Sequence, residues 1–103
     1  MAKKRLLKPV SPGEVLLEEY LKPLGISQNK LGRDLNVPIT RINEIVNEKR
    51  AVTVDTAVRL GHYFGTSAEV WLNLQQQYDL ELAKRNLVDK VKRTVVPLKD
   101  QAA

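Results

Sequence analysis

Thr40, Arg41, Asn43 and Glu44 fall on one short predicted helix, and their types match what the major groove of DNA displays. An arginine can pair with the two acceptors on a guanine edge, and an asparagine can pair bidentately with adenine. A threonine can give its hydroxyl to a base or a phosphate and its methyl to thymine. Ile42 and Ile45, three apart, would face inward and leave those four side chains outside. Residues suited to phosphate lie on either side. Ser27 and Gln28 stand at a helix N-terminus, where N–H groups and the positive end of the dipole favour an anion. Lys49, Arg50 and Thr53 follow the helix and could hold the sugar–phosphate backbone. The competing reading is a helical hairpin with a merely solvated polar face. Glu44 and Glu48 keep open a protein-interaction module without DNA binding, because carboxylates repel phosphates.

The elements that would position these groups can be read from caps and spacing. Ser11-Pro12-Gly13-Glu14 is a capping box with proline at the first helical position, and starts a helix to about Leu21. Leu17 and Leu21 share its inner face, and Glu18 and Lys22 form a favourable i,i+4 pair. Pro23, with Gly25 after it, is expected to end that helix. Ser27 caps the second, on which Leu31 and Leu35 lie four apart. Gly32 costs about 1 kcal/mol of helix propensity relative to alanine, which suggests a close crossing by the next helix. Asn36 can take the left-handed conformation that ends a helix. Val37 fills the angle, and Pro38 suits the first turn of the third helix. Thr53 caps a fourth helix, roughly 54–64, with Ala57, Leu60 and Phe64 inward and Gly65 as its stop. A fifth begins at Thr66 or Ser67, with Glu69 placed for a second capping box, and runs to about Asn86. Trp71, Leu74, Tyr78 and Leu82 recur along it at helical spacing.

The segments SPGEVLLEEYLKPLGIS, RINEIVNEKR, VTVDTAVRLGHYFGTS and EVWLNLQQQYDLELA occur in that order over residues 11–83. Their order and spacing resemble the HigA-type antitoxins, also called VapI-like addiction-module antidote proteins, within the XRE/Cro-repressor-like helix-turn-helix family. The resemblance implies an all-α, five-helix, lambda-repressor-like DNA-binding domain with the helix-turn-helix at helices 2 and 3. It also implies a homodimer that binds its own near-palindromic operator and neutralises a HigB-type ribonuclease toxin. The alternative is a stand-alone XRE-family regulator with no toxin.

Charge divides the chain into three. Residues 1–10 hold Lys3, Lys4, Arg5 and Lys8 and no acidic group. Residues 84–103 hold six basic groups against two acidic ones, and residues 11–83 hold seven basic against ten acidic. Basic ends suit attraction to DNA phosphates, although solubility would explain either tail equally well. A toxin that acts on RNA would be basic, so the resemblance would place its contacts on acidic residues: Glu14, Glu18 and Glu19, or Asp79 and Glu81. The expected organisation is a basic arm over 1–10, a helix-turn-helix domain over 11–87, and a basic tail over 88–103, partly extended around Arg93–Leu98 or mobile. Tyr78, Leu82 and Leu87 lie beyond what a small core can cover and are candidates for a dimer interface.

Other chemistries are disfavoured. There is no cysteine and one histidine, His62, so no disulfide framework or zinc site is expected. Glu18 and Glu19 are adjacent on a helix and point about 100° apart, so they do not converge on a substrate. No phosphate-binding glycine loop or nucleophile motif is present. No enzyme activity and no cofactor are expected. No apolar run is long enough to span a bilayer, and the N-terminus lacks a signal-peptide core, so the expected location is the cytoplasm.

Overall fold

The computed structural model of the chain describes residues 9–101. Among them are six helices and no strand. Helix α1 covers residues 12–24 in three consecutive pieces: α-helical Pro12–Val15, π-helical Leu16–Leu21 and α-helical Lys22–Leu24. Then come α2 (Gln28–Leu35), α3 (Ile39–Val46), α4 (Val54–Phe64), α5 (Ala68–Asn86) and α6 (Val88–Thr94). A 3-10 turn at Leu98–Asp100 follows. The five expected helices are present in their expected order. The charges of the N-terminal arm, Lys3 to Lys8, lie outside the described residues, as do Ala102 and Ala103.

Helix α1 departs from expectation in an instructive way. Pro23 does not end it; the helix runs on to Leu24 and stops at Gly25, which is left-handed with φ 66°. A proline inside a helix has no N–H to donate and crowds the carbonyl four residues earlier. The π-helical turn ahead of it widens the ladder, and Lys22 N–H already reaches back five residues, to the Leu17 carbonyl. The wider turn also changes the buried face. Leu16 and Leu21, five apart, are the fully buried pair, and Leu17 is half-buried. The expected pairing of Leu17 with Leu21 assumed a regular 3.6-residue turn.

Side-chain caps fix the starts of α1, α2, α4 and α5. Ser11 accepts from Glu14 N–H at 3.1 Å, Ser27 from Lys30 N–H at 3.0 Å and Thr53 from Thr56 N–H at 3.5 Å. Helix α5 is capped by Ser67, which accepts from Val70 N–H at 3.3 Å. Glu69 therefore sits at the second helical position, not the third that a capping box needs. Thr66 does not cap the helix; its Oγ1 accepts from the Trp71 indole N–H at 3.0 Å.

The core is Leu16, Leu21, Leu31, Leu35, Ile42, Ile45, Val52, Ala57, Leu60 and Trp71. Tyr20 stacks obliquely on Phe64 and Trp71, with ring centroids 4.7 and 5.1 Å apart. Trp71 thus joins α5 to α1 and α4, with its one polar atom satisfied. At Gly13 the first turn of α1 meets the end of α3. A Cβ there would stand 1.9 Å from the Ile45 carbonyl oxygen, so only glycine allows this approach. Beyond Trp71 the packing thins. From Leu72 to Gln101 no residue is fully buried, and Leu80, Leu87, Val91, Val95, Val96 and Leu98 are exposed. The tail expected to be partly extended contains helix α6; residues 95–97 leave the helix, and Gln101 is extended.

Candidate nucleic-acid interface

Helices α2 and α3 and the turn between them form the helix-turn-helix. Asn36 takes the left-handed conformation, φ 59°, and its N–H bonds the Arg33 carbonyl; Val37 N–H bonds the Gly32 carbonyl at 3.0 Å. These bonds satisfy carbonyls that the end of α2 leaves unpaired. Pro38 is extended, with ψ 143°, and stands just before the first turn of α3 rather than within it. Gly32 is buried against this turn, but a Cβ there would lie 3.4 Å from Ile39 Cα and the Val37 carbonyl, an ordinary contact. The tight approach expected at Gly32 occurs at Gly13 instead.

Helix α3 buries Ile42 and Ile45 and turns its other faces outward. Thr40 and Asn43 are exposed, and among the described residues no protein partner of either side chain competes with a base. Arg41 and Glu44 are half-buried and already paired. Arg41 Nη1 donates to Asp55 Oδ2 at 2.7 Å, and Glu44 Oε1 accepts from Arg50 Nε at 2.7 Å. The second carboxylate near the recognition helix is also engaged. Glu48, at a left-handed φ of 63°, accepts the Ser11 hydroxyl hydrogen at 3.0 Å. Glu44 is thus neutralised by a neighbour, and Glu48 is tied to the start of α1. Both arrangements reduce the repulsion of phosphate that the sequence alone suggested.

Two networks fasten α4 to the helix-turn-helix. In the first, Asp55 Oδ2 accepts from Arg41 and also from Arg59 Nε at 3.0 Å, while Arg59 Nη1 donates to the Leu35 carbonyl at 2.8 Å. The hydrogen bonds from Arg59 and Arg41 hold the Asp55 carboxyl below its ordinary value. In the second, Asp34 Oδ2 accepts from the Tyr63 hydroxyl at 2.6 Å and pairs with Lys30 Nζ at 3.0 Å. Those two bonds hold Asp34 low, and the Asp34 carboxylate pushes the Tyr63 hydroxyl and the Lys30 ammonium up. Asp55 and Arg59 were not singled out as site residues from the sequence. Their i,i+4 spacing is visible there, but the link from Asp55 to Arg41 crosses 14 positions and depends on the tertiary fold.

The expected phosphate-binding residues divide in the same way. Ser27 uses an oxygen lone pair on its own helix, so its hydroxyl hydrogen is left to donate; Gln28 is half-buried beside it. Lys49 is exposed, Arg50 is shared with Glu44, and Thr53 caps α4 with its hydroxyl aimed at Thr56 Oγ1, 3.4 Å away. Of the expected dimer residues, Leu87 is exposed and Leu82 half-buried. Tyr78 leans toward the body, lining a cleft of about 200 Å³ with Ser11, Gly13, Ile45 and Glu48. A shallow groove on α5 is lined by Leu72, Gln76, Leu80 and Ala83. Among the described residues no group of His, Asp or Glu could hold a metal ion, and no helix is long and apolar enough to cross a membrane.

Known proteins share this fold. A helix-turn-helix family model matches residues 17–71. Virulence-associated protein I of Dichelobacter nodosus is 51% identical over 85 residues, covering 82% of this chain and 79% of that protein. Antitoxin HigA-1 of Vibrio cholerae is 33% identical over 91 residues, covering 88% of this chain and 85% of that protein. The solved structure of Pseudomonas aeruginosa antitoxin HigA with the higBA promoter superposes with a TM-score of 0.83 at 41% identity, covering 88% of this chain and 99% of that one. These relatives bear the names of antitoxins and a virulence-associated protein, not of enzymes. By extent of match and by fold, this chain belongs to the helix-turn-helix family and, within it, to the HigA-type antitoxins.

Proposed function

We propose that this protein is the DNA-binding antitoxin of a type II toxin–antitoxin pair, which represses its own operon and neutralises a HigB-type ribonuclease in the cytoplasm. The observation that carries the DNA part is the outer surface of α3. Thr40 and Asn43 are exposed there with Arg41 beside them, while the nearby carboxylates Glu44 and Glu48 are engaged within the protein. The similar Pseudomonas aeruginosa antitoxin, solved with its promoter, supports DNA binding. One such helix reads few base pairs. Two copies related by a two-fold axis would read a near-palindrome with half-sites about 34–36 Å apart, or a multiple of that. The exposed apolar residues Leu80, Leu87 and Val91, with half-buried Leu82, would provide the surface for that pairing.

Neutralisation of the toxin rests on the family. Glu18 and Glu19 are exposed on α1, as are Asp79 and Glu81 on α5, and offer acidic contacts to a basic ribonuclease. Two measurements test the reading. The protein should bind the DNA upstream of its own gene far more tightly than random duplex at physiological salt. Co-expression with the adjacent small reading frame should restore growth and yield a co-purifying complex. A neighbour that is harmless when expressed alone would remove the antitoxin role and leave a stand-alone regulator. Equal affinity for upstream and random DNA would remove the repressor role.

A further inference from the structure

We propose that Asp55 is a positioning residue for base reading: it presets the Arg41 guanidinium for one base edge, and Arg59 holds it in place. The inference rests on the DNA-binding function proposed above. An exposed arginine has large rotamer freedom, and freezing it on a base opposes binding. Here the freezing precedes DNA. Among the described residues, only Nη1 of Arg41 is engaged, at 2.7 Å from Asp55 Oδ2. The Nε–Nη2 edge stays available, and two such donors match the O6 and N7 acceptors of guanine.

The carboxylate itself is anchored. The same Oδ2 accepts from Arg59 Nε, and Arg59 Nη1 reaches the Leu35 carbonyl at the end of α2. A continuous chain of bonds therefore runs from the backbone of the first helix of the motif, through α4, to a side chain on the second. Asp55 remains more than half exposed, with 55% of its side chain accessible. Its negative charge would discourage Arg41 from settling on a phosphate, so the same group that orients the arginine also opposes nonspecific binding.

The test uses the full chain, a duplex from upstream of its gene, single-base variants of that duplex, and a random duplex of equal length. Asp55→Asn should leave affinity for random DNA equal or higher and lower the upstream-to-random ratio by about tenfold. The loss should be confined to the base pair where Arg41→Ala also loses discrimination. Adding Asp55→Asn to Arg41→Ala should change the ratio no further, because two residues acting through one contact are not additive. If Asp55→Asn fails to fold, Arg59→Gln, which keeps the carboxylate but frees it from Leu35, must lower the ratio at the same base pair. Fully additive losses, or equal changes on both duplexes, would overturn the positioning role while base reading by Arg41 stands. A ratio indifferent to Arg41→Ala would overturn both the positioning role and base reading by Arg41.

Discussion

Residues 39–46 and residues 80–98 both present side chains to water, but of opposite kinds. On α3 the charged groups have partners before any ligand arrives: Arg41 has Asp55 and Glu44 has Arg50, while uncharged Thr40 and Asn43 stand exposed. In the later stretch the exposed groups are apolar, namely Leu80, Leu87, Val91, Val95, Val96 and Leu98. The first surface is ordered in advance and polar, as recognition of a hydrogen-bonding groove requires. The second has apolar area with nothing beneath it, which is the condition of a helix awaiting another protein surface. The 19-residue α5 joins the two: its first turn holds Trp71 in the core, and its far end carries the apolar positions.

The largest effect expected from breaking this division is at Trp71. It is fully buried, touches Tyr20 and Phe64, and bonds Thr66. Trp71→Ala should cost about 3–5 kcal/mol of unfolding free energy in a denaturant titration. Leu80→Ser, further along the same helix, should change it by no more than about 0.5 kcal/mol at concentrations where the chain is monomeric. Similar losses at the two sites would mean that the end of α5 packs into its own monomer.

Next comes association. Leu87→Asp places a charge in the proposed pairing surface and should weaken the dimer tenfold or more, about 1.4 kcal/mol or above, in sedimentation equilibrium. Operator affinity should fall with it, since two half-sites are then no longer held together. A wild-type protein that is a strict monomer at tens of micromolar, with and without DNA, would sink the pairing proposal.

Base reading should respond to Asn43→Ala. The expected loss is about 1–3 kcal/mol at the base pair that Asn43 reads, with little change on random DNA because asparagine carries no charge. Leu87→Asp, in contrast, should weaken binding without altering which bases are preferred. Competition binding with operator variants separates the two patterns. An unchanged preference after both Asn43→Ala and Arg41→Ala would move base reading off α3.

Local chemistry explains what was legible in the sequence. Ser11, Ser27, Thr53 and Gly65 act on backbone within a turn of themselves, and each stands where the pattern put it. The inward pair Ile42 and Ile45 follows from helical period, and so does the outward placement of Thr40 and Asn43. Three features were not legible. The π-helical turn at Leu16–Leu21 breaks the 3.6-residue period on which the reading of the buried face rests. The bonds from Ser11 to Glu48 and from Arg41 to Asp55 cross 37 and 14 positions. Helix α6 escaped the pattern for another reason: Leu87 provides no side-chain cap, and the run Thr94-Val95-Val96 drew the reading toward an extended piece although Val88, Val91 and Val95 keep the i, i+3, i+7 spacing of a helix.

The smallest expected effect concerns pH, and it tests whether the polar networks stabilise the recognition half. Asp34, under Tyr63 and Lys30, and Asp55, under Arg59 and Arg41, both titrate below the ordinary 3.8. A carboxyl depressed in the folded state adds stability that is complete above its unfolded value. That stability is lost as pH falls through the folded value. Both groups are exposed, so water and salt reduce the contribution. The double variant Asp34→Asn, Asp55→Asn should therefore melt below wild type at pH 6. The gap should narrow as pH drops below 3.8, because protonation gives wild type the same neutral side chains. A gap that stays constant from about pH 6 to about pH 2.5 would assign the loss to changed packing rather than to charge. The dimer dissociation constant at pH 6 should be the same for both proteins. These bonds fasten α2 and α3 to α4 and leave the apolar surface beyond Leu80 untouched, so a variant that loosened the dimer would show that the two regions are coupled.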